Sequence, residues 1–170
     1  PGKIGDGGMS GGSDMGLGPV LYREYPIGVL GLMDDGQGLR RVFLRREDSA
    51  PGAPEGETPL TLQAAAELEE YFAGRRQAFT VPLSPRGTDF QQAVWEALRA
   101  IPYGETRTYG EIAAAVGRPK AARAVGMANH DNPLLIFTPC HRVVGKNGAL
   151  TGFACGLEVK RRLLELERGK

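Results

Sequence analysis

Apolar positions along this chain fall into two regimes. Between Val20 and Leu44 they alternate with polar residues or cluster in short blocks, the spacing of strands. Val20–Tyr25, Val29–Met33 and Leu39–Leu44 are expected as three strands. Pro26-Ile27-Gly28 and the Asp34–Gly38 break read as the turns between them. Beyond residue 60 the period lengthens to that of helices. Leu62, Ala65, Ala66, Leu68 and Phe72 make a stripe over Thr61–Phe72, stopped by Gly74. Phe90, Val94, Leu98 and Ile101 make a second, with Trp95 expected on its core face. Two short helices follow, one through Ile112, Ala113 and Val116, the other over Lys120–Asn129, with Gly117 between them. Their form is that of a helix-turn-helix. Leu157–Glu167 is the last helix. Two further apolar runs, Phe79–Leu83 and Leu134–Phe137, read as strands, and Gly145–Gly148 as a hairpin-type turn.

Two helix starts are marked by capping boxes, Thr88 with Gln91 and Thr108 with Glu111. The fold class is α/β (α+β). A small strand-plus-helix domain, 19–83, is followed by a linker, 84–87, and a mostly helical domain, 88–170. Residues 1–18 hold eight glycines and are expected to be a flexible leader, since such a composition buries too little to order itself.

Charge adds a modest asymmetry. Residues 1–87 carry 9 Lys/Arg against 12 Asp/Glu, and residues 88–170 carry 12 against 8. A polyanion would favour the second half. There, Lys120 and Arg123 lie three residues apart among small side chains, so the backbone could approach a groove closely. No apolar run reaches membrane-spanning length, and no secretory pattern is visible at the start. Two cysteines make no disulfide framework, so a reducing, cytoplasmic compartment is expected.

The candidate chemistry lies in Thr138-Pro139-Cys140-His141-Arg142-Val143-Val144, which sets one of two cysteines beside one of two histidines. Thiolate is the reactive form of cysteine, and a neighbouring imidazole favours it. A buried structural cysteine beside an unrelated histidine is the plainer alternative for such a pair taken alone. The first half has no His, no Cys and no phosphate-cradling glycine motif, and is expected to be structural support.

The flanking residues decide between these. Gly87-Thr88-Asp89-Phe90-Gln91, Ile101-Pro102-Tyr103-Gly104-Glu105-Thr106, Tyr109-Gly110-Glu111-Ile112-Ala113, Ala121-Ala122-Arg123-Ala124-Val125-Gly126, Asn132-Pro133 and Pro139-Cys140-His141-Arg142-Val143-Val144 occur in order. Gly152-Phe153, Gly156, Lys160, Leu163-Leu164 and Glu167 follow. This half resembles the O6-alkylguanine-DNA alkyltransferase family (methylated-DNA–protein-cysteine methyltransferases), strongly over 84–168 and loosely over 20–83.

The resemblance implies direct-reversal repair of double-stranded DNA. An alkyl group on guanine O6, or on thymine O4, passes irreversibly to Cys140 after the base is flipped from the stack. It implies His141 as base, acting through a water, Glu167 as its orienter and Asn132 as support for the turn. Arg142 is expected to anchor locally. Tyr109, Lys120, Ala122, Arg123 and Gly126 are implied on the minor-groove face, with Arg123 filling the gap left by the base and Tyr109 pressing on the adjacent phosphate. Phe153, Cys155 and Val143 are implied around the substrate pocket. Phe153 stands where many relatives carry Tyr, and Cys155 where they often carry Gly or Trp. Some relatives hold zinc through Cys and His in the first half; with neither present, no metal and no cofactor is expected. A monomer is expected.

A lesion-binding protein of the alkyltransferase-like kind is the main alternative, and Cys140 argues against it. A transcription regulator would need a dimerisation signal, and a cysteine hydrolase an oxyanion-hole motif; neither is identifiable.

Overall fold

The computed structural model describes residues 16–46 and 52–169, so most of the expected leader lies outside the described residues. The chain joins the fold at Gly18, whose amide donates to Asp34 O at 2.8 Å. Three strands, β1 (Leu21–Tyr25), β2 (Gly28–Asp34) and β3 (Leu39–Leu44), form an antiparallel sheet in that order. Leu21 pairs Leu32, and Leu32 pairs Val42, so their side chains share one buried face. Gly31 lies opposite Phe43, whose ring occupies the space a side chain at 31 would need: a Cβ there would meet Phe43 Cζ at 2.4 Å.

Helix α1 (Pro59–Phe72) starts at a capping box between Thr58 and Thr61, with Pro59 at the first helical position. Its buried face runs through Thr61, Ala64, Ala65, Leu68 and Tyr71. That corrects the expected stripe: Leu62 and Ala66 point outward, one position off the face that packs on the sheet. The ends otherwise fall where glycine predicts, with Gly74 at a φ of 76° just past the cap.

Phe79–Leu83 forms no strand. Glu67 reaches out from α1 and accepts from the Thr80 and Val81 amides at 2.9 and 3.3 Å and from the Thr80 hydroxyl at 2.6 Å. Those amides are thereby withdrawn from any ladder. Only an isolated bridge remains, in which Leu39 N donates to Pro82 O at 2.8 Å and Ser84 N to Leu39 O at 2.7 Å.

In the second half, α2 (Asp89–Arg99) buries Val94, Trp95 and Leu98. Trp95 donates from Nε1 to Ala128 O at 2.8 Å, which ties α2 to α4 (Ala122–His130). The pair β4 (Arg107–Thr108) and β5 (Val143–Val144) is parallel. Helix α3 (Tyr109–Ala115) opens at the Thr108–Glu111 capping box and is closed by Gly117 at a φ of 79°. Helix α4 begins at Ala122, two residues later than expected, so Lys120 sits in the preceding turn. The last helix, α5, spans Leu157–Glu167. A single apolar cluster runs from Leu30 and Leu68 through Trp95 to Leu163, joining both halves. No helix among the described residues is long and apolar enough to cross a membrane.

Candidate active site

Leu134–Phe137 was expected as a strand and is instead a tight turn. Thr138 N donates to Leu134 O, and Phe137 N to Leu135 O, both at 2.9 Å, and Ile136 is carried at a φ of 73°. An apolar run is compatible with either outcome. The flanking Asn132 decides it: its Oδ1 accepts from Leu134 N at 2.9 Å, and its Nδ2 donates to Thr138 O at 2.8 Å. One amide side chain thereby brackets the turn. The outer edge of β3 anchors it, with Val42 N donating to Pro133 O at 2.8 Å and Leu135 N to Val42 O at 3.2 Å. Arg99 reaches from α2 to Thr138 Oγ1 at 2.8 Å.

The chain leaves this turn as one turn of 3-10 helix, Cys140–Arg142, and passes directly into β5. Cys140 is 5 % exposed. Burial pushes its thiol up to about 12, against a hydrogen bond with Asn132 and the nearby Lys160 ammonium, and with Cys155 as a further neighbour. At neutral pH the sulfur is a thiol, so its reaction needs a base.

His141 is fully buried, and its Nε2 meets Glu167 Oε2 at 2.6 Å. Burial, joined by the charges of Arg142 and Lys160, holds the imidazole below its ordinary range despite the pull of Glu167. The neutral ring with a carboxylate at Nε2 carries its proton there. Nδ1 is then the lone pair, and it has no hydrogen-bond partner among the described residues.

Glu167 is the hub. Arg142 donates from Nε to Oε1 at 2.8 Å and from Nη2 to Oε2 at 3.0 Å, and the Tyr71 hydroxyl donates to Oε2 at 2.6 Å. Burial alone would raise this carboxyl, but His141 and Arg142 carry it far below the usual carboxylate range. Arg142 thus anchors the network, as expected. Tyr71, 96 positions away in α1, was not anticipated: nothing local marks a tyrosine in a helix stripe as a partner for a distant carboxylate.

Lys160 is a second buried cation that sequence reasoning left without a role. Its Nζ donates to Val143 O at 2.5 Å and to Thr151 O at 2.9 Å, and burial lowers it to about 8. It also lies 5.8 Å from the Phe153 ring centroid. Cys155 is half-buried, with its carbonyl accepting from Arg46 at 2.8 Å. Val143 is wholly buried in β5.

On the other flank, α4 touches the turn through Asn129, whose Nδ2 lies 3.4 Å from Cys140 O. Arg123 and Lys120 are exposed, and Ala122 and Gly126 are half-buried. The Tyr109 hydroxyl shares its proton between Thr151 O and Gly152 O at 3.3 and 3.4 Å, and its ring faces Gly126. A cavity of about 280 Å³ lined by Phe79, Arg99, Phe137, Pro139 and Arg142 lies on one side of the turn, and Cys140 is not in its wall. Among the described residues no cluster of His, Cys, Asp and Glu could hold a metal ion.

Two family models match. Residues 21–85 match the 6-O-methylguanine DNA methyltransferase ribonuclease-like domain, and residues 89–169 its DNA binding domain. The chain is 51 % identical to the constitutive methylated-DNA–protein-cysteine methyltransferase of Bacillus subtilis, over 85 % of this chain and 92 % of that one. It is 50 % identical to a methylated-DNA–protein-cysteine methyltransferase of Methanosarcina acetivorans, over 85 % and 94 %. The crystal structure of Mycobacterium tuberculosis OGT in complex with DNA superposes with a TM-score of 0.82 at 47 % identity, covering 88 % of this chain and 92 % of that one. With both halves matched and relatives of this identity along nearly their whole length, the chain belongs to the 6-O-methylguanine DNA methyltransferase family.

Proposed function

We propose that this protein repairs DNA by direct reversal, taking the alkyl group of O6-alkylguanine onto Cys140. The observation that carries this reading is the relay at the turn: a buried thiol, the adjacent neutral imidazole and the carboxylate that fixes its tautomer. His141 Nδ1 takes the thiol proton through a water. The sulfur then attacks the alkyl carbon, an S–C bond forms and the C–O6 bond breaks. The bonding electron pair leaves with guanine, and the proton held on His141 offsets the charge on the departing base. A thioether has no return path to a thiol in this site, so each molecule reacts once.

The lesion lies inside the stack, so it must be extruded to meet a sulfur on rigid backbone. On this reading α3 and α4 form a helix-turn-helix that docks in the minor groove, where the small Ala122 and Gly126 permit close approach. Arg123 enters the stack and Tyr109 bears on the neighbouring phosphate. The sulfur is nearly closed off. Its neighbour Cys155 sits in the segment between Gly152 and Gly156, both at positive φ. We place the guanine pocket under that segment, bounded by Phe153 and Cys155 with Val143 behind.

The test is a mass measurement. After incubation with a duplex containing O6-methylguanine, the peptide bearing Cys140 should gain one methyl group. Cys140→Ser should gain none and still bind the duplex. Tight binding by the wild-type chain with no mass gain would favour a lesion sensor instead.

A further inference from the structure

We propose that Tyr71 is a positioning residue for alkyl transfer, through which the first half of the chain orients the base that serves Cys140. The inference deepens the alkyl-transfer reading and rests on it. Oxygen Oε2 of Glu167 accepts from two donors at the same short distance, His141 Nε2 and the Tyr71 hydroxyl, each at 2.6 Å. Tyr71 is wholly buried, and its ring is held edge-on or tilted against Phe72, Phe79 and Tyr103. The hydroxyl is therefore delivered from a fixed direction, and it stays protonated: burial and the adjoining Glu167 push its ionisation far above the ordinary phenol range.

Cys140 precedes His141 in the same 3-10 turn. Arg142 approaches Glu167 from the 3-10 turn, Lys160 acts on His141 from α5, and Tyr103 lies under the Arg142 guanidinium at 5.7 Å from its ring centroid. Arg142 satisfies Oε1 and shares Oε2, and Gly104 N lies at 3.5 Å from Oε1. Among the described residues, Tyr71 alone of the donors to this carboxylate comes from the first half. The Val42 backbone also reaches the turn from that half, through Pro133 O and Leu135 N, and makes no bond to the carboxylate.

A donor to Glu167 competes with His141 for the same oxygen. Removing it makes the carboxylate a stronger acceptor for the imidazole, favours the imidazolium and frees the carboxylate to swing. Tyr71→Phe keeps the ring and its packing and deletes only the hydroxyl. We expect single-turnover methyl transfer to Cys140 to slow about tenfold on the acid limb of the rate profile and little above neutrality, with affinity for the duplex unchanged. The acid limb of the rate profile should move up by about one pH unit, the scale of one hydrogen bond to a charged group. Only two histidines are present, so nitrogen-15 labelling of the imidazoles follows His141 directly and should show the same shift. Leu68→Val, in the same buried stripe but outside this network, serves as the packing control and should lower stability with no shift in either profile. If wild-type chain methylates Cys140 and Tyr71→Phe reproduces its rate profile and its His141 titration, the positioning role is overturned. If wild-type chain fails to methylate Cys140, the alkyl-transfer reading itself has failed.

Discussion

Arg142 lies across Glu167 as a fork, with Nε on one carboxylate oxygen and Nη2 on the other, while Nη1 donates to Ile101 O at 2.7 Å. Both side chains are out of solvent, at 7 % and 1 % exposure. Removing one partner of such a pair strands a buried charge, which costs more than the pair contributes. Arg142→Met should therefore lower stability by about 3–5 kcal/mol, read as a fall in denaturant midpoint at constant slope. The double variant Arg142→Met, Glu167→Gln should recover a large part of that loss, because the charge leaves with its partner. A single-variant loss under about 1 kcal/mol would place the pair with surface ion pairs.

The same network sets a pH dependence of definite sign. Burial and two nearby cations hold His141 below its ordinary range, so the imidazole stays neutral as pH drops through about 6.5. If neutral His141 is the base, transfer should be flat around neutrality and decline only below that range. Stability should follow in the same direction. The unfolded chain binds a proton on His141 at higher pH than the folded chain does, so stability falls as pH drops below the imidazole range. Glu167, held far below the usual carboxylate range, adds a second loss as pH falls through and below the unfolded carboxylate value. Denaturant titrations between pH 7 and about 3 check both, and Glu167→Gln should remove the second decline and deepen the first, because Glu167 is what pulls the imidazole up.

Ile136 occupies a backbone region that β-branched residues rarely adopt, and it does so with its side chain 1 % exposed. Truncation to alanine should cost about 2–5 kcal/mol through the cavity left behind. Glycine removes one more carbon, yet it relieves a left-handed strain of roughly 1–2 kcal/mol. Ile136→Gly should therefore be no less stable than Ile136→Ala, and more stable by about 1 kcal/mol, the reverse of the ordinary order in regular structure. Thermal or denaturant unfolding of the two variants settles it, and the ordinary order would mean that the turn relaxes its φ once the side chain is gone.

What was legible in the sequence is what local physics controls. The Thr88–Gln91 and Thr108–Glu111 boxes mark two helix starts because both partners are three residues apart, and the boundaries of β3 and α5 follow from periodicity alone. Leu134–Phe137 was misjudged because an apolar run says that a segment is buried and leaves its path open. The path is set by Asn132 and by an edge of β3 some 90 positions earlier. Phe79–Leu83 failed for the same kind of reason, through Glu67. Of the site itself, the Cys140–His141 adjacency was visible, and the family motif supplied Glu167. Tyr71 and the contacts of Lys160 were not visible, since each partner is a backbone or carboxylate oxygen that only the packed fold brings within reach.

Arg123 and Lys120 make separable contributions to DNA engagement on the minor-groove reading. Both are exposed near the start of α4, and neither forms part of the relay. Lys120, in the turn before the helix, is suited to a phosphate. Its loss should weaken binding of any duplex alike and reduce the slope of log affinity against log salt by about 0.9. Arg123, the second residue of α4, would on that reading act on the extruded state, because unstacking costs a few kcal/mol per step and something must hold the gap. Arg123→Ala should therefore slow repair of O6-methylguanine in duplex DNA far more than it slows reaction with the free O6-alkylguanine base. The free base needs no extrusion. Methyl transfer on both substrates, with anisotropy titrations of an unmodified duplex across a salt series, separates the two residues. Equal losses on duplex and free base would remove Arg123 from the flipping step and reassign it to simple charge attraction.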